Sequence, residues 1–303
     1  ATGQVVGTAV VSRWFTRRRG TALSILGSAS MAGITLLVPV AMWGVLRLGW
    51  RATQMVFGAG VVVLLVPLAL AFVRDSPESV GLTPDGDPPA ARAGETVAER
   101  TGVLAAMQAL PFWLIAAGLF GCGFSMSLLS AHGVPMLTDH GYEPMLASWV
   151  LGVLGGSSMG FAVVLGALSD RFGRRPVLAW LYGTRALIFL ALLLVREHPL
   201  ALLVIALAGG ASLSGSIAAA SALSAEIFGR FSVGPVFGTM FLVHQTGAAL
   251  GSWLGGALFE ATGGYAAAFA LASALLLGAA ALSLAIDVRP RLATRIPVVV
   301  AGK

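Results

Sequence analysis

The sequence is poor in almost everything a water-exposed surface is made of. Only 11% of its 303 residues are charged, and Lys303 is its one lysine. It has three tyrosines, four histidines and a single cysteine. Cys122 stands alone in an apolar run, which excludes an intrachain disulfide and argues against a zinc centre. There is no phosphate-cradling glycine loop, no pair of histidines on one helix face with a glutamate, and no serine–histidine pair at depth. No enzymatic activity, catalytic residue, cofactor or metal is therefore expected. What fills the chain is apolar: 57% hydrophobic residues and a mean hydropathy of +0.89. A soluble fold of this length has too little interior to hide that much apolar surface, so the solvent must be lipid.

The net charge of +6 comes almost wholly from arginine. The arginines sit in short loops between apolar runs, which is the topogenic pattern of a membrane protein and not that of a nucleic-acid binder. Nine apolar runs approach the length of a bilayer crossing, at about 1–12, 21–46, 52–73, 107–137, 145–168, 176–195, 199–222, 233–258 and 264–286. The first is too short to span by itself. Placing Arg13–Arg19 in the cytoplasm puts about fifteen of the nineteen Arg and Lys on that side, with only Arg47, Arg51 and Arg196 opposite. The C-terminus is then cytoplasmic. Trp43, Trp50, Trp149 and Trp253 fall near the outer interface, and Trp14, Trp113 and Trp180 near the inner one.

Residues 74–105 form the one long polar segment, dense in Pro, Gly and acid, and read as an irregular tether between two bundles. A short amphipathic helix over 95–108 is compatible with it. The expected organisation is thus the remainder of an N-terminal bundle at 1–73, a cytoplasmic linker at 74–105, a six-helix bundle at 106–288 and a cytoplasmic tail at 289–303.

A shift of 214 lays residues 20–72 on 234–286 without a gap, with Gly33 on Gly247, Gly49 on Gly263, Ala52 on Ala266 and Ser30 on His244. Internal repeats of this kind build many secondary transporters. Carried back by the same shift, residues 166–175 would fall before Ala1. The expectation is a twelve-helix chain shortened at its N-terminus by three helices, nine remaining.

Residues 166–175 read Gly-Ala-Leu-Ser-Asp-Arg-Phe-Gly-Arg-Arg and must turn tightly between two spans. The stretch resembles the loop motif of the major facilitator superfamily, Gly-x-x-x-Asp-Arg-x-Gly-Arg-Arg. Each fixed position is present, as Gly166, Asp170, Arg171, Gly173, Arg174 and Arg175. Other stretches are similar to the branch that holds the monocarboxylate porters and oxalate/formate antiporters: Trp14-Phe15 with Arg18-Arg19-Gly20, Gly49-Trp50-Arg51, the run from Arg74 through Pro77 and Gly81 to Gly86, Tyr182 to Ala186, and His244 to Gly251. The resemblance implies an all-α membrane protein, a major facilitator-type helical bundle of about nine transmembrane helices. These would be three of the N-terminal half and a complete six-helix C-terminal half. The oxalate-type carriers hold a dianion with cations in their eighth and eleventh helices. Here 145–168 has neither Arg nor Lys, and 233–258 offers His244, which speaks against a dicarboxylate. The Gly-Pro pair that marks many proton–drug antiporters is absent from 27–35.

Ionisable groups at membrane depth are expensive and mark function by default. Arg185 lies roughly 14 Å into its run, where it suits an anionic group or, alternatively, a backbone carbonyl, Glu226 or another helix. His244, near the middle of its span, suits proton coupling, with Gln245 beside it expected to pack between helices. His132 precedes Gly133 and Pro135 and is expected on the pathway. Glu226 and Arg230 read as gate or capping residues, and Asp139, His140 and Glu143 as solvated loop groups. The glycines from Gly152 to Gly160 and from Gly247 to Gly256 offer small faces for helix approach.

The resulting expectation is a secondary active transporter of a small organic solute, a monocarboxylate being the favoured class, driven by protons through alternating access. Its partners would be the lipid bilayer, a small-molecule (anionic) substrate and protons, with no nucleic acid. The protein would be a monomer in the plasma (inner) membrane. The alternatives are an efflux pump for amphipathic compounds and a non-transporting membrane sensor or inactive fragment.

Overall fold

The computed structural model describes residues 7, 10, 11, 14, 15, 19–74, 77–83, 97–195, 198–213, 215–229, 232–288 and 294–297. The expected first run at 1–12 falls mostly outside them. The rest is helix upon helix. We number the helices α1 (Arg19–Leu48), α2 (Trp50–Phe72), α3 (Val103–Met107), α4 (Leu110–Asp139), α5 (Pro144–Phe172), α6 (Arg174–Leu194), α7 (Pro199–Leu213), α8 (Ser216–Phe228), α9 (Val233–Thr262) and α10 (Ala266–Leu284). Among the described residues six stretches are long and apolar enough to cross a bilayer: α2, α4, most of α5, α6, α7 with α8 taken together, and α10. This is a multi-pass all-α membrane bundle.

Glycine sets the joints. Between α1 and α2, α5 and α6, and α9 and α10 the chain turns on a single residue with positive φ: Gly49 (79°), Gly173 (86°) and Gly263 (71°). At the first joint Thr53 donates to the Gly49 carbonyl at 2.8 Å. The Thr53 side chain is seated against Gly44, where a Cβ would come within 2.9 Å of its methyl group. Within α2 a π-helical turn over Val61–Leu65 precedes Pro67. The wider turn gives the ring room, because a proline in a regular helix would strike the carbonyl four residues back.

The core of the six-helix part lies at two depths. One layer gathers Phe112, Ile115, Leu119, Leu178, Leu223 and Phe228, and the other Phe124, Leu128, Phe189, Leu202 and Phe269. Helix α4 runs through both. The closest seam is α4 against α9. A Cβ on Gly123 would overlap the His244 carbonyl, and one on Gly247 or Gly251 would overlap the carbonyl of Phe120 or Phe124. Backbone meets backbone there because no side chain intervenes, which is how helices associate where lipid removes the hydrophobic drive. Helix α1 packs on α5, with Thr35 and Pro39 against Gly152.

Three features depart from the expectations. The run at 199–222 is two helices that extend to Phe228, broken at Gly215 (φ 81°). The linker is more than a tether at its far end: Val97–Arg100 pairs antiparallel with Thr294–Pro297, Val97 opposite Pro297, so linker and tail meet in a two-stranded ribbon. Thr101 then donates from its hydroxyl to the Phe228 carbonyl (2.8 Å) and from its backbone N–H to Ser232 Oγ (2.6 Å). Of the helix proposed over 95–108, the structure has the single turn α3.

The 214-residue shift is visible in the backbone. It carries the bounds of α1 onto those of α9, 30 residues each, and Gly49 onto Gly263.

Candidate functional site

Arg185 is completely buried, in the middle of α6. Its guanidinium faces the break between α7 and α8. Nε and Nη2 both donate to the Ser212 carbonyl, at 3.2 and 2.5 Å, and Nη2 also donates to Ser216 Oγ at 3.1 Å. Breaking a helix frees carbonyls that have lost their partners, and this arginine takes up one of them. Nη1 points across to α4 and donates to Cys122 Sγ at 3.2 Å. Cys122 Sγ is in turn 3.5 Å from Ser216 Oγ. No carboxylate lies within ion-pair distance of Arg185 among the described residues. The positive charge is held by a carbonyl, a hydroxyl and a thiol.

His244 approaches the same place from α9. Its ring stacks on Phe241 with centroids 4.8 Å apart, and Nδ1 is 3.0 Å from Gln245 Oε1. An amide oxygen only accepts, so Nδ1 carries the proton and Nε2 the lone pair. Nε2 is buried and interacts with the Cys122 thiol, although no hydrogen bond of good geometry closes between them. Gln245 thus faces His244 through its amide oxygen. One turn before Arg185, the hydroxyl of the fully buried Tyr182 also lacks a partner, its ring lying against Gly118. A guanidinium, a thiol, an imidazole lone pair and a phenol therefore converge among α4, α6, α8 and α9. The phenol has no hydrogen-bond partner among the described residues, and the imidazole has the thiol. A buried polar group without a partner costs about 1–3 kcal/mol, so the cluster is costly as it stands.

Arg185 and His244 both reach Cys122, from α6 and from α9. His132 is not part of it. Its Nε2 donates to the Ser252 carbonyl at 2.8 Å, and its ring fits the space that Gly255 leaves. It is a rivet across the α4–α9 seam, beside Tyr265. Sequence reasoning missed Cys122, Ser212, Ser216 and Tyr182 as partners. The Ser-Leu-Ser-Gly-Ser run at 212–216, polar within an apolar stretch, was the available signal for Ser212 and Ser216.

At the far end of α5 the arginine-rich turn is built as its residues dictate. Gly173 takes the left-handed conformation, Arg171 stacks on the Phe172 ring (5.6 Å), and Arg174 reaches α8. There its Nη1 donates to Glu226 Oε2 at 2.8 Å and to the Ala222 carbonyl at 3.1 Å. A cation at the C-terminal end of a helix complements the helix dipole. Glu226 thus belongs to Arg174, not to Arg185. Arg175 is half-buried in the first turn of α6. Gly166 and Asp170 lie on α5, and the Asp170 side chain and Arg230 are outside the described residues. No group of His, Cys, Asp and Glu suited to a metal occurs among the described residues.

Comparison with known proteins agrees with this architecture. The chain is 31% identical over 268 residues to the uncharacterized MFS-type transporter YcxA of Bacillus subtilis (strain 168), covering 84% of this chain and 61% of that protein. It is 29% identical over 276 residues to monocarboxylate transporter 13 of Bos taurus (89% of this chain, 60% of that one). With monocarboxylate transporter 12 of Homo sapiens the identity is 24% over 302 residues, covering 90% of this chain and 58% of that protein. The chain thus spans about three-fifths of the length of these relatives, which are named as transporters and not as enzymes. The profile of the Major Facilitator Superfamily matches residues 1–197 and again 133–299. With the helical bundle and the Gly166–Arg175 motif already in place, the chain belongs to the Major Facilitator Superfamily.

Proposed function

We propose that this chain is part of a secondary active transporter that carries a small monocarboxylate together with a proton by alternating access. The observation that carries the reading is the fully buried Arg185, a fixed cation with no carboxylate beside it among the described residues, braced against a broken helix. A substrate carboxylate supplies the missing counter-charge and competes with the Ser212 carbonyl for the guanidinium. Tyr182 OH is a second donor. The lone pair of His244 Nε2 takes the proton, its tautomer fixed by Gln245. Releasing Arg185 from Ser212 loosens the joint at Gly215, which is where a discontinuous helix rocks. Two of the relatives bear the name monocarboxylate transporter, which supports the substrate class. His132 holds the wall of the pathway and is not a substrate ligand.

In the cell the protein is read as a monomer of the plasma membrane, its arginine-rich turn and C-terminal tail in the cytoplasm, on the count of Arg and Lys per side. The protein is to be expressed in a host that lacks monocarboxylate uptake and supplied with labelled pyruvate. Arg185→Ala and Arg185→Lys, present at wild-type levels in the membrane, should abolish uptake. His244→Gln should flatten its dependence on pH between about 5 and 8. Uptake that survives both arginine variants would sink the assignment of Arg185, and an unchanged pH profile that of His244.

A further inference from the structure

Away from the buried cluster, α1 and α5 touch closely where Thr35 meets Gly152 and Gly156, then part toward the Leu48 end of α1. The opening is a groove of about 450 Å³ whose walls include Leu36, Pro39, Val40 and Trp43 of α1 and Met145 and Trp149 of α5. It is almost wholly apolar, and both tryptophans are more than half exposed. Nothing among the described residues fills it.

The groove does not end in more apolar surface. Leu36, Val40 and Trp43 recur at the spacing of one helix face, and the next residue in that stripe is Arg47, about 16 Å along the helix from Leu36. Arg47 is exposed in the last turn of α1 and has no carboxylate partner among the described residues. Just beyond the Gly49 turn Arg51, also exposed, lies over the Trp50 ring at 4.8 Å. An apolar channel flanked by two tryptophans, with Arg47 continuing its stripe and Arg51 just past the turn, has the charge and depth profile of a lipid. Tryptophan belongs at the level of the headgroups, and a guanidinium pairs with phosphate through two parallel hydrogen bonds.

We propose that this groove binds one anionic phospholipid, an acyl chain between Trp43 and Trp149 and the phosphate on Arg47 and Arg51. The site lies at the end of the bundle opposite the Arg174–Glu226 pair and does not depend on what the protein transports. It gives the two arginines a role at the end where a membrane protein otherwise carries few.

The test is native mass spectrometry of the full chain released from detergent, titrated with phosphatidylglycerol and with phosphatidylcholine of identical chains. Wild-type protein should retain phosphatidylglycerol preferentially. Each of Arg47→Ala and Arg51→Ala should weaken it about fivefold, the equivalent of about 1 kcal/mol per arginine near a membrane surface. Arg171→Ala at the other end should leave the preference intact. Leu36→Trp, which fills the groove, should cut the retention of both lipids while the melting temperature holds. Equal retention of the two lipids by wild-type protein overturns the proposal. So does a loss in Arg171→Ala that matches Arg47→Ala, full retention in Leu36→Trp, or displacement of the adduct by millimolar inorganic phosphate.

Discussion

The pair α1–α2 and the pair α9–α10 are two renderings of one hairpin. Their long helices have the same length, their joints are glycines with φ of 79° and 71°, and a single shift superposes their residues. Yet α10 is well buried against α4 and α6, while α2 has only Thr53 buried. Hydropathy does not tell them apart: 2.1 for α10 and 2.6 for α2. What differs is the small residues. Along α10 the buried positions are mostly alanine and serine, and along α9 the seam is Gly247, Gly251 and Gly255. The middle of α2, at 61–66, is bulky all round: Val-Val-Val-Leu-Leu-Val. In a membrane, apolarity says only that a helix lies in lipid, and small size says where another helix meets it.

The strongest way to break that comparison is to add one methyl group at matched positions. Gly247→Ala drives a Cβ into the Phe120 carbonyl and should destabilise the protein by about 1–3 kcal/mol, whereas Gly33→Ala, its counterpart in α1, meets nothing nearer than Leu37 Cδ1 at 4.0 Å. The second variant should be neutral or should gain up to about 1 kcal/mol of helix propensity. Thermal unfolding in a fixed detergent reads both. Equal losses would mean that the Gly33 face is covered in the working protein as the Gly247 face is.

A smaller difference is expected at the joints. Gly263 is in the left-handed helical region (φ 71°, ψ 16°), which a side chain enters at about 1–2 kcal/mol, whereas Gly49 (φ 79°, ψ 162°) occupies a region essentially closed to side chains. Gly49→Ala should therefore cost more than Gly263→Ala, by about 1 kcal/mol or more in the same unfolding measurement. Equal costs would show that the two joints relax to one conformation.

The least effect is expected from the polar fastening that the packed region has and α2 lacks. Arg174 and Glu226 are each about one-third or more exposed, so removing the pair through Glu226→Gln should cost under about 1 kcal/mol. Raising the salt concentration should shrink that difference further.

Much of this was legible in the residues because lipid simplifies the code. The run expected at 176–195 is observed at Arg174–Leu194, and the turn at Gly173 was readable from its glycine and arginines. Burial of Arg185 followed from its depth in an apolar run. Its partners did not, because Cys122, Ser212 and Ser216 come from α4, α7 and α8, and which helices meet is decided by packing that no local pattern records. The break at Gly215 was hidden for a related reason: serine and glycine are common enough in membrane helices that Ser-Gly-Ser reads as helix interior. The ribbon joining Val97–Arg100 to Thr294–Pro297 pairs residues almost 200 positions apart, and neither strand alternates clearly enough to announce itself.

Cys122 is the only sulfhydryl in the chain, and no solvent reaches it. This chain is therefore already a cysteine-light background for labelling, with no other thiol of its own to replace. Maleimide should stay unreacted for as long as α4, α6 and α8 remain closed around Arg185. The rate at which the label appears then counts openings of that region one by one, with no mutation made and no substrate known.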